Sequence, residues 1–210
     1  MVSKTSFLTG AAASLGSVGS RRSHLRNFWL RCLALLLAFA HDTGAQTGAS
    51  KEYEVKAAFL FNFIQFVEWP ADTFNGDDEP FTIGVFGDDP FGGTLEETVR
   101  GETFHKHKIV VRHSRRIADM QTCQLVFVSK SEKNHEAEVI AKCASHKTLT
   151  VSDLPDFANH GGIIDFYAEG KKIRFEINPG AAKREGLKVS SQLLNLGKIV
   201  EPDAPKGSHG

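Results

Sequence analysis

Charge of one sign is missing from this 210-residue chain: lysine plus arginine and aspartate plus glutamate stand at 25 each, and the formal net charge is zero. No global field therefore draws the protein to nucleic acid or to an anionic membrane. Long apolar runs are missing too, for Cys32 to Ala40 (CLALLLAFA) is much shorter than the roughly 20 residues a membrane span needs. The signatures of common catalytic chemistry are also absent: there is no GxSxG elbow, no GxGxxG after a strand, no GxxxxGK phosphate loop, no HExxH and no CxxC. An exported enzyme would need a nucleophile, a base and an orienting group that this sequence does not display, and no cofactor is implied. Internal repeats are lacking, and the one biased stretch is the proline- and glycine-rich tail Glu201 to Gly210 (EPDAPKGSHG).

What is present begins with an export signal. Residues up to about Arg31 are basic and free of acids, the short apolar run follows, and small residues stand at Thr43, Gly44 and Ala45. Cleavage after Ala40 or Ala45 fits best. Ser20 to Arg26 (SRRSHLR) resembles a twin-arginine motif, but His24 stands where an aromatic or apolar residue belongs, so the Sec route fits better. Cys32 lacks the small residues of a lipoprotein box before it. The organisation expected is a signal peptide over 1–45, one domain over 46–200 and a flexible tail over 201–210, with no membrane insertion after cleavage. The remainder, about 165 residues, is enough for one domain with a real core.

The segment Lys51 to Pro70 (KEYEVKAAFLFNFIQFVEWP) predicts a strongly aromatic helix. At helical pitch Lys51, Glu54, Asn62 and Gln65 form a narrow polar stripe, and Val55, Phe59, Leu60, Phe63, Ile64, Phe66 and Val67 cover most of the rest. Such a helix is buried on more than one side. Pro70 ends it and biases Trp69 away from helical geometry. Phe61 lies near the border of the apolar arc, where it either completes the core or offers a partner or homodimer surface.

Beyond the helix, Phe81–Phe86, Lys108–His113, Gln124–Ser129 and Thr148–Val151 read as strands rich in β-branched and aromatic residues. Helices are expected near 93–99 and 132–144. That order implies a single α/β domain with a mixed, mostly parallel sheet flanked by helices. Gly162–Tyr167 and Lys171–Ile177, around Ala168-Glu169-Gly170, signal a C-terminal β-hairpin. A closing helix runs from Pro179 to about Asn195, with a break foreseen at Gly186.

Candidate site residues are few. Cys123 and Cys143 remain after signal removal, an even count in an oxidising compartment. One precedes a strand and the other ends the helix returning antiparallel to it, so a disulfide is geometrically reasonable. Closing that loop would stabilise the fold by roughly 3 kcal/mol in the chain-entropy model; two buried free thiols are the alternative. His105 and His107 alternate on a strand but have no third ligand, so no metal site is expected. Asp88 and Asp89 follow the first strand where open α/β sheets place ligands, although paired acids in a turn ordinarily cap local backbone donors. Glu68 and Trp69 combine a carboxylate with an indole at the helix exit, a ligand or partner pocket if Trp69 is not simply a lid on the core. Arg174, projecting opposite the apolar face of the hairpin, could join Lys171, Lys172, Lys183 and Arg184 in a basic patch.

Three motifs, KAAFLFNFIQFVEWP, FTIGVFGDDPF at 81–91 and INPGAAKREGLKVSSQLLNLGKIV at 177–200, resemble the opening helix, first strand and closing segment of the YfiR family of small periplasmic regulators. The likeness runs from about Tyr53 to Val200. It implies a periplasmic, non-enzymatic domain that binds the periplasmic sensor region of an inner-membrane signalling protein, typically a diguanylate cyclase, and restrains it. It also implies disulfides: Cys123 stands where a member may have one cysteine, while the first strand offers only Ile83 and Gly84 where its partner is expected. A second expectation is a small-ligand sensor feeding a kinase or transporter, which an internal cavity beside Trp69 or the hairpin would favour.

Overall fold

A computed structural model describes residues 45–201; the expected signal peptide, apart from Ala45, and the tail beyond Glu201 lie outside the described residues. Helix α1 (Ala45–Phe66) starts earlier than its sequence pattern predicts. Of its polar stripe, Lys51, Glu54 and Gln65 are exposed as expected and Asn62 is half-buried, while Ala57, Leu60, Phe63 and Ile64 are fully buried. Pro70 lies in a short connection after the two-residue strand β1 (Val67–Glu68).

The sheet follows the expected strands closely. β2 (Phe81–Phe86), helix α2 (Thr94–Val99), β3 (Thr103–Phe104), β4 (His107–Ser114), β5 (Leu125–Val128), helix α3 (Glu136–Cys143) and β6 (Leu149–Ser152) form the alternating portion. The hairpin is β7 (Ile164–Glu169) and β8 (Lys172–Ile177). The order across the sheet is β10-β8-β7-β6-β5-β2-β4-β3, with β10 being Lys198–Ile199. Pairing is parallel from β4 through β2, β5 and β6 to β7, antiparallel in the hairpin and at β3, and parallel again at β10. The protein is therefore α/β with a mixed, mostly parallel sheet.

Residues 179–195 form two short helices rather than one. α4 (Pro179–Arg184) is capped by the Asn178 side chain, which accepts from Ala181 N–H, and α5 (Ser191–Leu196) by Ser190, which accepts from Leu193 N–H. Between them Gly186 takes a left-handed φ of 73°, which glycine tolerates best, and β9 (Lys188–Val189) pairs antiparallel with β1. The helix expected over 132–144 is likewise divided, its first part being a 3-10 turn over Lys130–His135.

Two apolar layers cover the sheet. α1 lies on one face, where Phe59, Phe63, Phe166 and Phe175 meet ring against ring at 5.1–5.9 Å between centroids. Each fully buried phenylalanine contributes about 1.5–3 kcal/mol by transfer alone. α3 lies on the other face, where Met120, Cys123, Val126, Val128, Val139, Cys143, Leu154 and Phe157 form a smaller cluster.

Candidate functional site

The carboxyl ends of β2, β5 and β6 gather a cluster of buried polar side chains, among them Lys56, Glu132 and Asp153. Lys56 sits four residues before Leu60 and seven before Phe63, so helical pitch carries it onto the apolar face of α1. Its side chain is only 2 % exposed, and Nζ lies 2.6 Å from Asp153 Oδ2 and 2.5 Å from Glu52 Oε1. Asp153 directly follows β6 and also accepts from Tyr53 Oη at 2.7 Å, with Lys130 Nζ 3.5 Å away. Burial and then the Asp153 bond push the Tyr53 phenol well above its ordinary range, so it stays a protonated donor. All these donors converge on Oδ2, while the buried Oδ1 has no protein partner.

This cluster fastens the first half of α1 across the sheet. Lys56 meets the end of β6 and Trp69 meets the start of β2, so the helix runs antiparallel to both strands. A buried ion pair of this kind fixes position more than it adds stability, but deleting one partner strands a charge.

Next to it, Gly87 has a φ of 96°, and a Cβ there would lie 2.4 Å from Ser131 Oγ. Only a glycine lets the β5 loop approach so closely. Asp88 N–H donates to Ser131 Oγ at 2.9 Å, and the Asp88 carboxylate pairs with Arg115. The Asp89 carboxylate accepts from Phe91 and Gly92 N–H, the ordinary turn-forming use of this residue. Gly87, Asp88, Asp89 and Arg115, with His113 and Ser114, line an open depression of about 380 Å3.

The sequence-derived candidates fall in different surroundings. Trp69 is half-buried, edge-on to Phe81 and Phe104, and its Nε1–H donates to Lys147 O at 3.1 Å, so it closes the core. Glu68 is exposed opposite Lys188. Phe61 is half-buried against the main core. Arg174 is exposed and held by Glu169 at 3.0 Å. Trp69 lines neither the depression at Gly87 nor a smaller cavity of about 70 Å3 beside Cys143, although the latter includes Ile163 at the entry to the hairpin. His105 stands in the turn before β4 with a φ of 54°, and His107 stacks on Phe74 at 3.7 Å with Nδ1 bonded to Glu79 O. No three His, Cys, Asp or Glu side chains converge as a metal ligand set among the described residues.

Cys123 and Cys143 both lie in the cluster under α3, as separate buried thiols. Burial pushes Cys123 up to about 11, partly opposed by Arg112, and Cys143 up to about 12, with the neighbouring Cys123 adding to the effect. Gly84 faces the same spot: a Cβ there would lie 3.0 Å from Cys123 Sγ and 2.7 Å from Met120 Sδ.

Lys56 and Asp153 are what sequence reasoning missed. The signal was available for Lys56, whose spacing to Leu60 and Phe63 puts a cation on an apolar face; nothing local marks Asp153 as its partner.

Comparison with known proteins adds the family. Residues 53–198 match the YfiR/HmsC-like family. No curated protein matches the sequence. Among solved structures, a conserved domain protein from Vibrio cholerae aligns with a TM-score of 0.49 at 12% identity, over 70% of this chain and 59% of that one. An ABC domain from Streptococcus pneumoniae, solved with L-Trp, aligns with a TM-score of 0.43 at 12% identity, over 57% of this chain and 55% of that one. The chain thus spans less than two thirds of either structure's length. No helix among the described residues is long and apolar enough to cross a membrane.

Proposed function

The chain belongs to the YfiR/HmsC-like family, and from that premise we propose that it binds the periplasmic sensor region of an inner-membrane diguanylate cyclase and holds that enzyme inactive. The family is one of periplasmic, regulatory, non-catalytic proteins of cyclic-di-GMP signalling. The family match over residues 53–198 is the observation that carries the reading.

The mechanism is differential binding. A restrainer shifts its partner's equilibrium only by the difference in its affinity for the inactive and active states, and moving a population from 1:99 to 99:1 needs about a 10⁴-fold preference. No catalytic group is required. Of the partner-surface candidates, Phe61 and Trp69 pack on the core, whereas Glu68 and Arg174 are exposed where a partner can reach them. Cys123 and Cys143, sharing one cluster, join as a disulfide in the oxidising compartment and stiffen the α3 side of the domain.

A second reading, a small-ligand sensor feeding a kinase or transporter, draws on the depression at Gly87, Asp88 and Arg115, which lies at the strand ends where open sheets bind ligands. One experiment separates the two. The exported, tagged protein is recovered from membranes and its companions are identified by mass spectrometry. A membrane diguanylate cyclase supports restraint; a kinase, a transporter or no companion moves the weight to the sensor.

A further inference from the structure

One edge of the eight-stranded sheet is covered for only part of its length. β3 pairs with β4 at His107 and Lys108, and Ile109 N–H reaches Glu102 O at 3.2 Å. Beyond that point β4 continues to Ser114 with β2 on its inner side alone. Ser114 C=O faces inward, accepting from Gly87 N–H at 3.1 Å, while Ile109 N–H faces outward. Strand alternation then turns the N–H and C=O of Val111 and His113 outward, and no described residue bonds them.

The side chains along this edge have a definite character. Lys108, Val110 and Arg112 alternate on one face and are all exposed, Val110 at 38 %. Residues 100–116 hold six cations, Arg100, Lys106, Lys108, Arg112, Arg115 and Arg116, against the single carboxylate of Glu102, in a chain whose total charge is zero. Asp77, Asp88 and Asp119 pair with Lys106, Arg115 and Arg116. Lys108 and Arg112 have no carboxylate among the described residues, and the Arg112 guanidinium is steadied by Thr122 Oγ1 at 2.8 Å and by Asp119 O.

We propose that the open edge of β4 takes an extended acidic segment of a partner protein as an added strand. Main-chain bonds to Val111 and His113 supply the docking, as in other strand additions. On the exposed face, an acidic residue beside Arg112, an apolar one beside Val110 and a further acidic one within reach of the long Lys108 side chain, which β3 already flanks, supply the choice of sequence, since opposite charges across neighbouring strands attract. Cations on an edge also keep copies of the same chain from pairing there, and that same charge admits a partner of opposite sign. This deepens the proposed function by naming a surface and the chemistry of what it receives, and it rests on that reading only for who the partner is.

The test uses the mature protein and a fluorescein-labelled peptide of about ten residues, in which glutamate and valine alternate with threonine, read by anisotropy. Saturable binding is expected, with none for the same peptide carrying lysine in place of glutamate. The pair K108E/R112E should weaken it by about tenfold. His113→Pro should weaken it comparably, because it removes an outward N–H and leaves the pairing to β2 intact. A thermal melt checks each variant, and the surface pair K108E/R112E decides the matter if the proline variant does not fold. Equal binding of both peptides, binding of neither, or undiminished binding by K108E/R112E would overturn the proposal. Membrane capture with the same variants separates this idea from the restraint reading. A cyclase captured equally by wild type and by K108E/R112E and His113→Pro overturns the docking edge and leaves restraint standing; no cyclase with wild type overturns restraint, and the peptide titration still decides the edge.

Discussion

Between α1 and the sheet lies an aromatic layer, Phe59 and Phe63 from the helix against Phe166 and Phe175 from the strands, whereas between α3 and the sheet lie sulfur and aliphatic groups, Met120, Cys123 and Cys143 around Val126 and Val128. The first layer is fastened by a buried charge cluster at Lys56 and Asp153. The second contains no charge and relies on close approach, with Gly84 leaving room for the Cys123 sulfur. The α1 face should therefore fail as a unit when its charges are unbalanced, while the α3 face should respond to changes in packing volume.

The largest effect tests the α1 face. Asp153→Ala leaves the Lys56 ammonium buried beside Glu52 alone and should cost about 3–5 kcal/mol, read by denaturant unfolding. Replacing both partners, as K56M/D153L, should recover much of that loss, and a double variant as unstable as the single one would show that the pair does more than cancel charge.

Next comes the α3 face. If Cys123 and Cys143 are joined in the exported protein, C123A/C143A should be less stable by roughly 3 kcal/mol, and a reductant should affect only the parent. Identical melts, together with two titratable thiols in the denatured exported protein, would dismiss the bond. Gly84→Ala, forcing a methyl group against Met120 and Cys123, should cost about 1–3 kcal/mol on the same face.

The smallest effect lies in the hairpin, at the carboxylate pair Asp165 and Glu176. Asp165 opposes Glu176 across β7 and β8, and burial followed by that neighbouring charge raises its carboxyl to about 6. A carboxyl whose folded pKa exceeds its unfolded value of about 3.9 penalises the fold progressively as pH rises from about 4 through 6. Asp165→Asn should accordingly gain about 1 kcal/mol on the parent at pH 7.5 and lose that advantage near pH 4. Melting curves at the two pH values check it, and a pH-independent difference would rule out ionisation of Asp165 as its cause.

Much of this fold could be read in the sequence because its signals are local. The polar stripe of α1, the four apolar strand segments, the hairpin and the break at Gly186 each follow from spacing or from a turn residue. The two-residue strands β1, β3, β9 and β10 were not legible, since two residues carry no periodicity and their pairing is decided by tertiary contact. The candidate site divided the same way. Asp89 as a turn former was foreseeable, but the Lys56–Asp153 pair spans 97 positions, and sequence shows only a cation on an apolar face. Trp69 as a lid required knowing that Lys147 O would stand beside its indole.

The most direct measurement of the central claim is cellular cyclic-di-GMP in a strain deleted for this chain, complemented either with the exported protein or with a version lacking residues 1–45. Restraint requires the level to rise on deletion and to fall again only with the exported form. An unchanged level on deletion, or equal rescue by the unexported form, would contradict it.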